Sequence, residues 1–212
     1  MNRCDSNEAC LRENAIYTIP SIWDTSYRVR AHPCKDETAL LESAAEFVVI
    51  RDRKMCSPGD ALEENVHALV MPRADVTGVE RISEAPGIWS FAWKVAMNLI
   101  PDDKDIFLVV NSKYSRSQDW LHVHIMEGNA SELEAHRSQR PASFNATLVQ
   151  IDRLDQVPET IKTLTGDAAS TGRYSILIAG KKSAGDGKDR FSVLVEKFST
   201  CSPDNTETYY LR

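Results

Sequence analysis

Residues 105–128 read DIFLVVNSKYSRSQDWLHVHIMEG, and this stretch decides the fold class. Two apolar runs, 105–112 and 119–126, have the length and composition of buried strands, and a polar loop joins them. Side chains alternate between the two faces of a strand, so His122 and His124 are predicted to point the same way. Such a pair indicates half of a metal site, a nucleophile with its partner, or a polar patch on an exposed sheet face.

The segment before this stretch predicts two strands and a long helix. Strands are expected at 47–53 and 66–72, joined as antiparallel neighbours by a loop that contains Pro58 and Gly59. A short helix is expected earlier, at 37–46. The long helix is expected to have Ser83 as its N-cap and Pro86 in its first turn. Its apolar face is formed by Ile88, Ala92, Val95, Ala96 and Leu99, widened by Trp89 and Trp93.

The segment after the histidines is expected to be rich in β-structure. A polar, helical stretch (131–140) precedes a strand at 144–151, and the runs at 173–180 and 190–198 predict a hairpin around a glycine-rich turn. That turn lacks the spacing of a phosphate-binding loop and does not open a helix. Together these elements predict an α+β domain around an antiparallel sheet.

Composition and charge limit the function classes. The chain has 212 residues, is 42% hydrophobic and 26% charged, and carries a formal net charge of −6. A nucleic-acid binder that works through a broad basic surface is therefore not expected, whereas a small basic pocket for a phosphorylated ligand is compatible with this charge. No apolar run approaches the length of a transmembrane helix, so no transmembrane segment is expected.

The N-terminus and the cysteines leave the compartment open. The first residues lack the apolar core of a signal peptide, which favours a cytoplasmic protein for the chain as given. A precursor whose leader had been removed would begin in the same way, and the protein would then be secreted or membrane-peripheral. Five cysteines show no CxxC spacing, which argues against a structural zinc site. A Cys10–Cys34 disulfide and free thiols are both compatible with the sequence.

The residues around the histidines favour nucleophilic chemistry over a metal site. Glu127 should face away from His124, and nothing in the sequence places His32, His67 or His136 nearby, so no metal or other cofactor is expected. A neutral imidazole attacks phosphorus when its far ring nitrogen is held by an acceptor. Donors that would stabilise the phosphoryl oxygens precede the histidines: Asn111, Lys113, Ser115, Arg116, Ser117 and Gln118.

This arrangement resembles the active-site stretch of the histidine triad superfamily. Asn111 is followed by Gln118 after seven residues, and His122 and His124 come four and six residues later. Within the superfamily the closest similarity is to the CDP-diacylglycerol pyrophosphatases. The likeness spans roughly residues 10–128 and includes an LMP-type strand (69–72, LVMP), a Trp-rich helix and the run VVNSKYSRSQDWLHVHIM.

The resemblance implies a fold, a domain plan and residue roles. Residues 46–130 would form the HIT-like catalytic core with its long helix, residues 1–45 would pack on it, and residues 131–212 would be a β-rich extension of the same domain. His124 would be the nucleophile and His122 would support it from the same strand face. Asn111 and Gln118 would line the phosphate and ribose pocket, and Arg116 would contact phosphate.

Two departures from the pattern bear on activity. Met126 stands at the third histidine position, where the pyrophosphatases usually have serine, and Ser115 replaces a glycine. The resemblance implies a hydrolase that cleaves a phosphoric anhydride in a nucleotide conjugate of the CDP-diacylglycerol kind through a covalent histidine. The alternative, motivated by Met126, is a repurposed or catalytically silent protein that binds a nucleotide or specialised metabolite. The expected partner is a nucleotide or phosphorylated small molecule, without nucleic acid, and a homodimer is possible.

Overall fold

The computed structural model describes residues 40–51, 67–116, 120–133, 137–138, 145–166, 172–182 and 190–198. Within these ranges the chain forms eight strands and two α-helices. The strands are β1 (Leu40–Ser43), β2 (Phe47–Arg51), β3 (His67–Pro72), β4 (Asp105–Val110), β5 (Val123–Gly128), β6 (Asn145–Ile151), β7 (Tyr174–Lys181) and β8 (Phe191–Lys197). The helices are α1 (Ile88–Leu99) and α2 (Val157–Thr165). All eight strands belong to one sheet with antiparallel neighbours, in the order β1-β2-β3-β5-β4-β7-β8-β6.

The histidine-bearing strand lies inside this sheet, not at its edge. β5 pairs with β4 on one side, where Val109 is opposite His124, and with β3 on the other, where Leu69 is opposite His124. The two runs around the polar loop are thus antiparallel neighbours, and the predicted pairing of β2 with β3 is confirmed. A strand with two neighbours has its backbone groups bonded along both edges, which holds His124 in a fixed place.

Helix α1 covers one face of the sheet. Trp89 and Trp93 are 4% and 9% exposed, which confirms that these aromatic residues belong to the core. They pack with residues that alternate along the strands, such as Leu108 and Ile125. Since one face of β4 and β5 is occupied in this way, the side chains between those residues must point to the opposite face.

The opposite face, here called the histidine face, carries His122, His124 and Met126. A second apolar cluster covers part of it and contains Phe107, Val109, Met126, Leu133, Leu177, Ala179 and Leu194. The short 3-10 helix Ala130–Glu132 runs directly into Leu133, which is 1% exposed. The histidines therefore lie at one end of a face whose remainder is apolar and packed.

Local predictions were wrong in two segments of the chain. Residues 40–43, placed in a short helix, form strand β1, because pairing with β2 overrides the helix preference of the Leu-Leu-Glu run. Ser83 is not the N-cap of α1, and Pro86 is not in its first turn: Ser83 lies in the 3-10 helix Val79–Glu84, and α1 begins after Gly87. Gly87 has φ +85°, a left-handed conformation that glycine adopts without steric cost and that turns the chain into the helix.

The C-terminal half follows the prediction with one addition. β7 and β8 pair antiparallel, with Gly180 opposite Phe191, which confirms the hairpin, and β6 is the edge strand beside β8. In the region of the helix predicted at 131–140, the structure describes the 3-10 helix Ala130–Glu132 and the helical residues 137–138. Residues 134–136 and 139–140 lie outside the described residues. Helix α2 was not predicted, although Pro158 near its start is a helix-initiation signal.

Gly180 is expected to be required by the packing of α1 on β7. A Cβ at this position would lie 2.7 Å from Cη2 of Trp93 and 3.1 Å from Cδ1 of Phe191, whose rings pack edge to face. We expect Gly180→Ala to lower the free energy of unfolding by about 1–3 kcal/mol, measured by urea denaturation. The same substitution in a Trp93→Leu background should cost much less, and an equal cost in both backgrounds would contradict this explanation.

Candidate active site

The site forms where β4 ends and β5 begins. Asn111 follows β4 directly, and its amide nitrogen Nδ2 lies 3.2 Å from Nε2 of His124. Both residues are buried, at 3% and 5% exposure. An amide nitrogen can only donate, so Nε2 of His124 accepts, and in the neutral ring the proton is then on Nδ1. Asn111 thereby selects the tautomer whose lone pair is on Nε2.

His122 is fixed by the backbone just before β5. Its Nδ1 lies 2.6 Å from the carbonyl oxygen of Trp120, which can only accept, so Nδ1 donates. The two imidazoles contact each other edge to face, with centroids 4.9 Å apart. His122 is 6% exposed and His124 5%. The expectation that the pair shares one strand face is met, and the alternative of an exposed polar patch is wrong because both rings are buried.

The loop after Asn111 is a compact turn held by its own hydrogen bonds. The backbone nitrogens of Ser115 and Arg116 donate to the carbonyl oxygen of Ser112 at 3.1 and 2.9 Å, and the Ser112 and Ser115 hydroxyls lie 3.0 Å apart. The backbone nitrogen of Ser112 donates to Oγ of Ser175, which is fully buried on β7. The turn is therefore tied to the strand next to β4.

Two cations flank one aromatic ring beside this turn. Nζ of Lys113 lies 5.4 Å from the ring centroid of Tyr114, and Cζ of Arg173 lies 5.8 Å from it. The backbone nitrogen of Lys113 donates to the carbonyl oxygen of Gly172, which brings the two segments together. Tyr114 is buried, whereas Lys113 is half-buried and Arg173 exposed. Arg173 was not a predicted site residue, because it lies 60 residues away from Lys113 in sequence.

Arg116 forms a buried ion pair with a residue that the sequence did not single out. Its Nη1 and Nη2 donate to the two carboxylate oxygens of Glu80 at 2.6 and 2.7 Å, and the side chains are 4% and 19% exposed. Glu80 lies in the 3-10 helix that follows β3. A Cβ at Gly78 would lie 1.6 Å from Nη1 of Arg116, so this glycine makes room for the guanidinium.

Other predicted contributors lie elsewhere. Ser117 and Gln118 are outside the described residues, as is the Cys10–Cys34 pair. Glu127 is opposite Ile106 on the helix side of the sheet, and partial burial raises the pKa of its carboxyl. Among the described residues, no three potential metal-ligating side chains come together. Neither described α-helix is long and apolar enough to cross a membrane.

Met126 is part of the apolar packing of the histidine face. The side chain is fully buried and belongs to the cluster with Phe107, Leu133 and Leu177. A thioether suits such an irregular apolar site, whereas a third imidazole there would need a buried hydrogen-bond partner. The third triad position is therefore structural in this chain.

Truncation of Met126 should affect stability. We expect Met126→Ala to lower the free energy of unfolding by about 2–5 kcal/mol through loss of buried surface and formation of a cavity. Met126→Leu, which nearly conserves the volume, should cost less than about 1.5 kcal/mol. Urea denaturation of both variants is the measurement. If Met126→Ala were as stable as the wild type, the side chain would not be packed as described.

The antiparallel sheet with helix α1 packed on one face gives the chain a histidine-triad-like fold. In agreement, its fold matches the crystal structure of the yeast Ap4A phosphorylase Apa2 in complex with AMP, with a TM-score of 0.51 over 90% of this chain and 71% of that protein. At 14% identity, this likeness establishes the fold alone.

Within that class the chain belongs to the CDP-diacylglycerol pyrophosphatase family, whose model matches residues 24–199. A CDP-diacylglycerol pyrophosphatase from Yersinia pestis is 31% identical over 103 residues, which cover 44% of this chain. The match spans 35% of the Yersinia protein. The family resemblance of the sequence is thereby confirmed.

Proposed function

We propose that this protein hydrolyses the pyrophosphate bond of a nucleotide conjugate such as CDP-diacylglycerol, through a covalent intermediate on His124. The observation that carries the proposal is the 3.2 Å contact between Nδ2 of Asn111 and Nε2 of His124, in a site buried from solvent. This contact keeps a nucleophilic lone pair on Nε2 of His124 and places the N–H donor of Asn111 beside that lone pair. A phosphoryl group that enters between them would meet a nucleophile and a donor for its oxygen.

The proposed reaction has two displacements at one phosphorus atom. The lone pair of His124 Nε2 forms an N–P bond with the phosphorus attached to cytidine, and the anhydride P–O bond breaks, so that phosphatidate leaves as an anion. Water then attacks the same phosphorus: its OH group becomes part of CMP, its second proton goes to solvent, and the electron pair of the broken N–P bond returns to Nε2 of His124. A phosphate monoester is a good leaving group, so the first step needs no general acid of its own.

The anionic substrate would be met by local positive charge. Lys113 and Arg173 bracket Tyr114 beside the turn, and neither forms an ion pair within the described part of the chain. The two positive charges give this place a local charge opposite in sign to the net charge of the whole chain, which is −6. We propose that these cations attract the two phosphates. Ser115, which lies in the turn with its hydroxyl near that of Ser112, and the predicted contacts of Ser117 and Gln118 would complete the phosphate pocket.

A non-hydrolytic nucleotide-binding protein is the second candidate. Met126 favours it, because the third triad position supplies no polar group and packs in the apolar cluster. A protein of this kind would be stabilised by CMP in a thermal-shift experiment but would release no product from the conjugate. Turnover of the same sample distinguishes the two candidates.

Hydrolysis in ¹⁸O-labelled water tests the proposed reaction. Purified protein is incubated with CDP-diacylglycerol in mixed micelles, and CMP and phosphatidate are analysed by mass spectrometry. The two-displacement scheme predicts a single ¹⁸O atom in CMP and none in phosphatidate. Label in phosphatidate would mean attack at the other phosphorus, and absence of both products would favour the binding protein.

A further inference from the structure

The Glu80–Arg116 ion pair connects two parts of the site that the sequence separates. Glu80 belongs to the segment 76–80, which also contacts the residues just before β5. The backbone nitrogen of Leu121 donates to the carbonyl oxygen of Val76 at 2.8 Å, and Thr77 forms a β-bridge with Trp120. Trp120 in turn accepts the hydrogen bond from His122. The same short segment therefore holds the chain on both sides of residues 117–119.

The ion pair is built to fix a geometry. Both terminal nitrogens of the guanidinium meet both carboxylate oxygens, a bidentate arrangement that restricts rotation as well as distance. Gly78, with φ +36°, leaves space for Nη1 of Arg116, and a Cβ on Gly172 would lie 3.0 Å from Oε2 of Glu80. Two glycines thus let backbone approach this pair closely, where a side chain would displace it.

The ion pair is also connected to the proposed nucleophile, His124, through the contacts of the turn. The backbone nitrogen of Arg116 bonds to the carbonyl oxygen of Ser112, and Ser112 directly follows Asn111, whose amide contacts His124. A displacement of Arg116 would therefore be transmitted over four residues to the amide of Asn111. Because the carboxylate of Glu80 compensates the guanidinium, Arg116 carries little net charge toward a phosphate compared with Lys113 and Arg173.

We infer that Glu80 is a positioning residue: by holding Arg116 it fixes the Ser112–Arg116 turn and the amide of Asn111 against His124. This inference rests on the proposed function. It replaces direct phosphate binding as the main role of Arg116, because the bidentate carboxylate of Glu80 compensates the guanidinium charge.

A double-mutant cycle with Glu80→Ala and Arg116→Ala tests this inference. Each single variant should lose roughly 10–100-fold in kcat with a smaller change in KM, because the reacting groups are misplaced while the cations at Lys113 and Arg173 are kept. Each should also melt several degrees lower, since one charge is left buried without its partner. The double variant should recover most of the melting temperature, yet its kcat should stay as low as in the single variants.

Three outcomes would overturn the inference. If kcat recovered together with the melting temperature in the double variant, the pair would serve folding alone. If Arg116→Ala raised KM strongly while Glu80→Ala lowered it, Arg116 would be a phosphate ligand that Glu80 restrains. If neither single variant changed kcat, the pair would have no role in the site. Glu80→Gln, which keeps an oxygen acceptor for Arg116, should retain more activity than Glu80→Ala.

A readout without substrate separates this inference from the proposed function. The ¹⁵N chemical shifts of the His124 imidazole report which ring nitrogen carries the proton, whether or not the protein turns over. Loss of the pair should move these shifts toward a mixture of tautomers, and Glu80→Gln should move them less. Unchanged shifts in Glu80→Ala and Arg116→Ala would contradict the inference. If the wild type fails to hydrolyse CDP-diacylglycerol but the shifts change as expected, the proposed function fails while the positioning role is supported.

Discussion

His124→Ala is expected to reduce hydrolysis of CDP-diacylglycerol by roughly 10⁴-fold or more, because it removes the proposed nucleophile of the proposed covalent intermediate. The side chain is 5% exposed and lies on the histidine face, on the strand between β3 and β4. The measurement is kcat from release of CMP, with the far-ultraviolet circular dichroism spectrum compared with that of the wild type.

Two further variants serve as controls. His122→Ala should reduce kcat by a smaller factor, about 10–100-fold, because in the proposed mechanism His122 supports the site without carrying the phosphoryl group. Lys94→Ala, which changes an exposed side chain on α1, should leave kcat within a factor of two. Equal losses in His122→Ala and His124→Ala would remove the basis for assigning the nucleophile to His124.

Asn111→Asp should produce the second largest effect and should make it dependent on pH. A carboxylate in place of the amide would lie beside Nε2 of His124, which is 3.2 Å from the amide nitrogen in the wild type. A nearby negative charge favours the imidazolium, which has no lone pair for attack. We expect activity at pH 7 to fall by about 10²–10³-fold and the pH–rate profile to move to higher pH, so that the loss is smaller in alkaline solution.

Asn111→Ala separates the added charge from the lost hydrogen bond. This variant removes the donor without adding a carboxylate, so kcat should fall at every pH while the profile keeps its position. The measurement is kcat/KM from pH 5 to 10 for both variants and the wild type. A profile that moved equally in Asn111→Ala and Asn111→Asp would show that the amide does not act through the lone pair of His124.

The strands and the histidine pair could be predicted because their signals are local. Apolar runs of five to eight residues identify β4, β5, β7 and β8, and the period of two places His122 and His124 on one face. The spacing from Asn111 to the histidines likewise carried enough information to indicate the family, which the family model confirms. Strand β1 could not be predicted in this way, since a Leu-Leu-Glu run becomes a strand here only through its pairing with β2.

The long-range parts of the site could not be predicted from sequence. Glu80 and Arg116 are 36 residues apart, and Ser112 and Ser175 are 63 apart, so only the fold brings them together. The same is true of Arg173 beside Tyr114. Sequence patterns predict local structure along the chain, whereas these contacts depend on which strands lie side by side in the sheet. Burial of Met126 could be inferred only once β5 was known to be an internal strand.

The central claim is that His124 becomes covalently attached to the nucleotide, and mass spectrometry of the intact protein tests it most directly. Wild type, His122→Ala and His124→Ala are mixed briefly with CDP-diacylglycerol and quenched at mildly alkaline pH, which preserves a phosphoramidate. The account predicts a cytidylyl adduct in the wild type, mapped to His124 by peptide fragmentation and absent from His124→Ala. Turnover by the wild type without any adduct, or an adduct that persists in His124→Ala and disappears in His122→Ala, would contradict it.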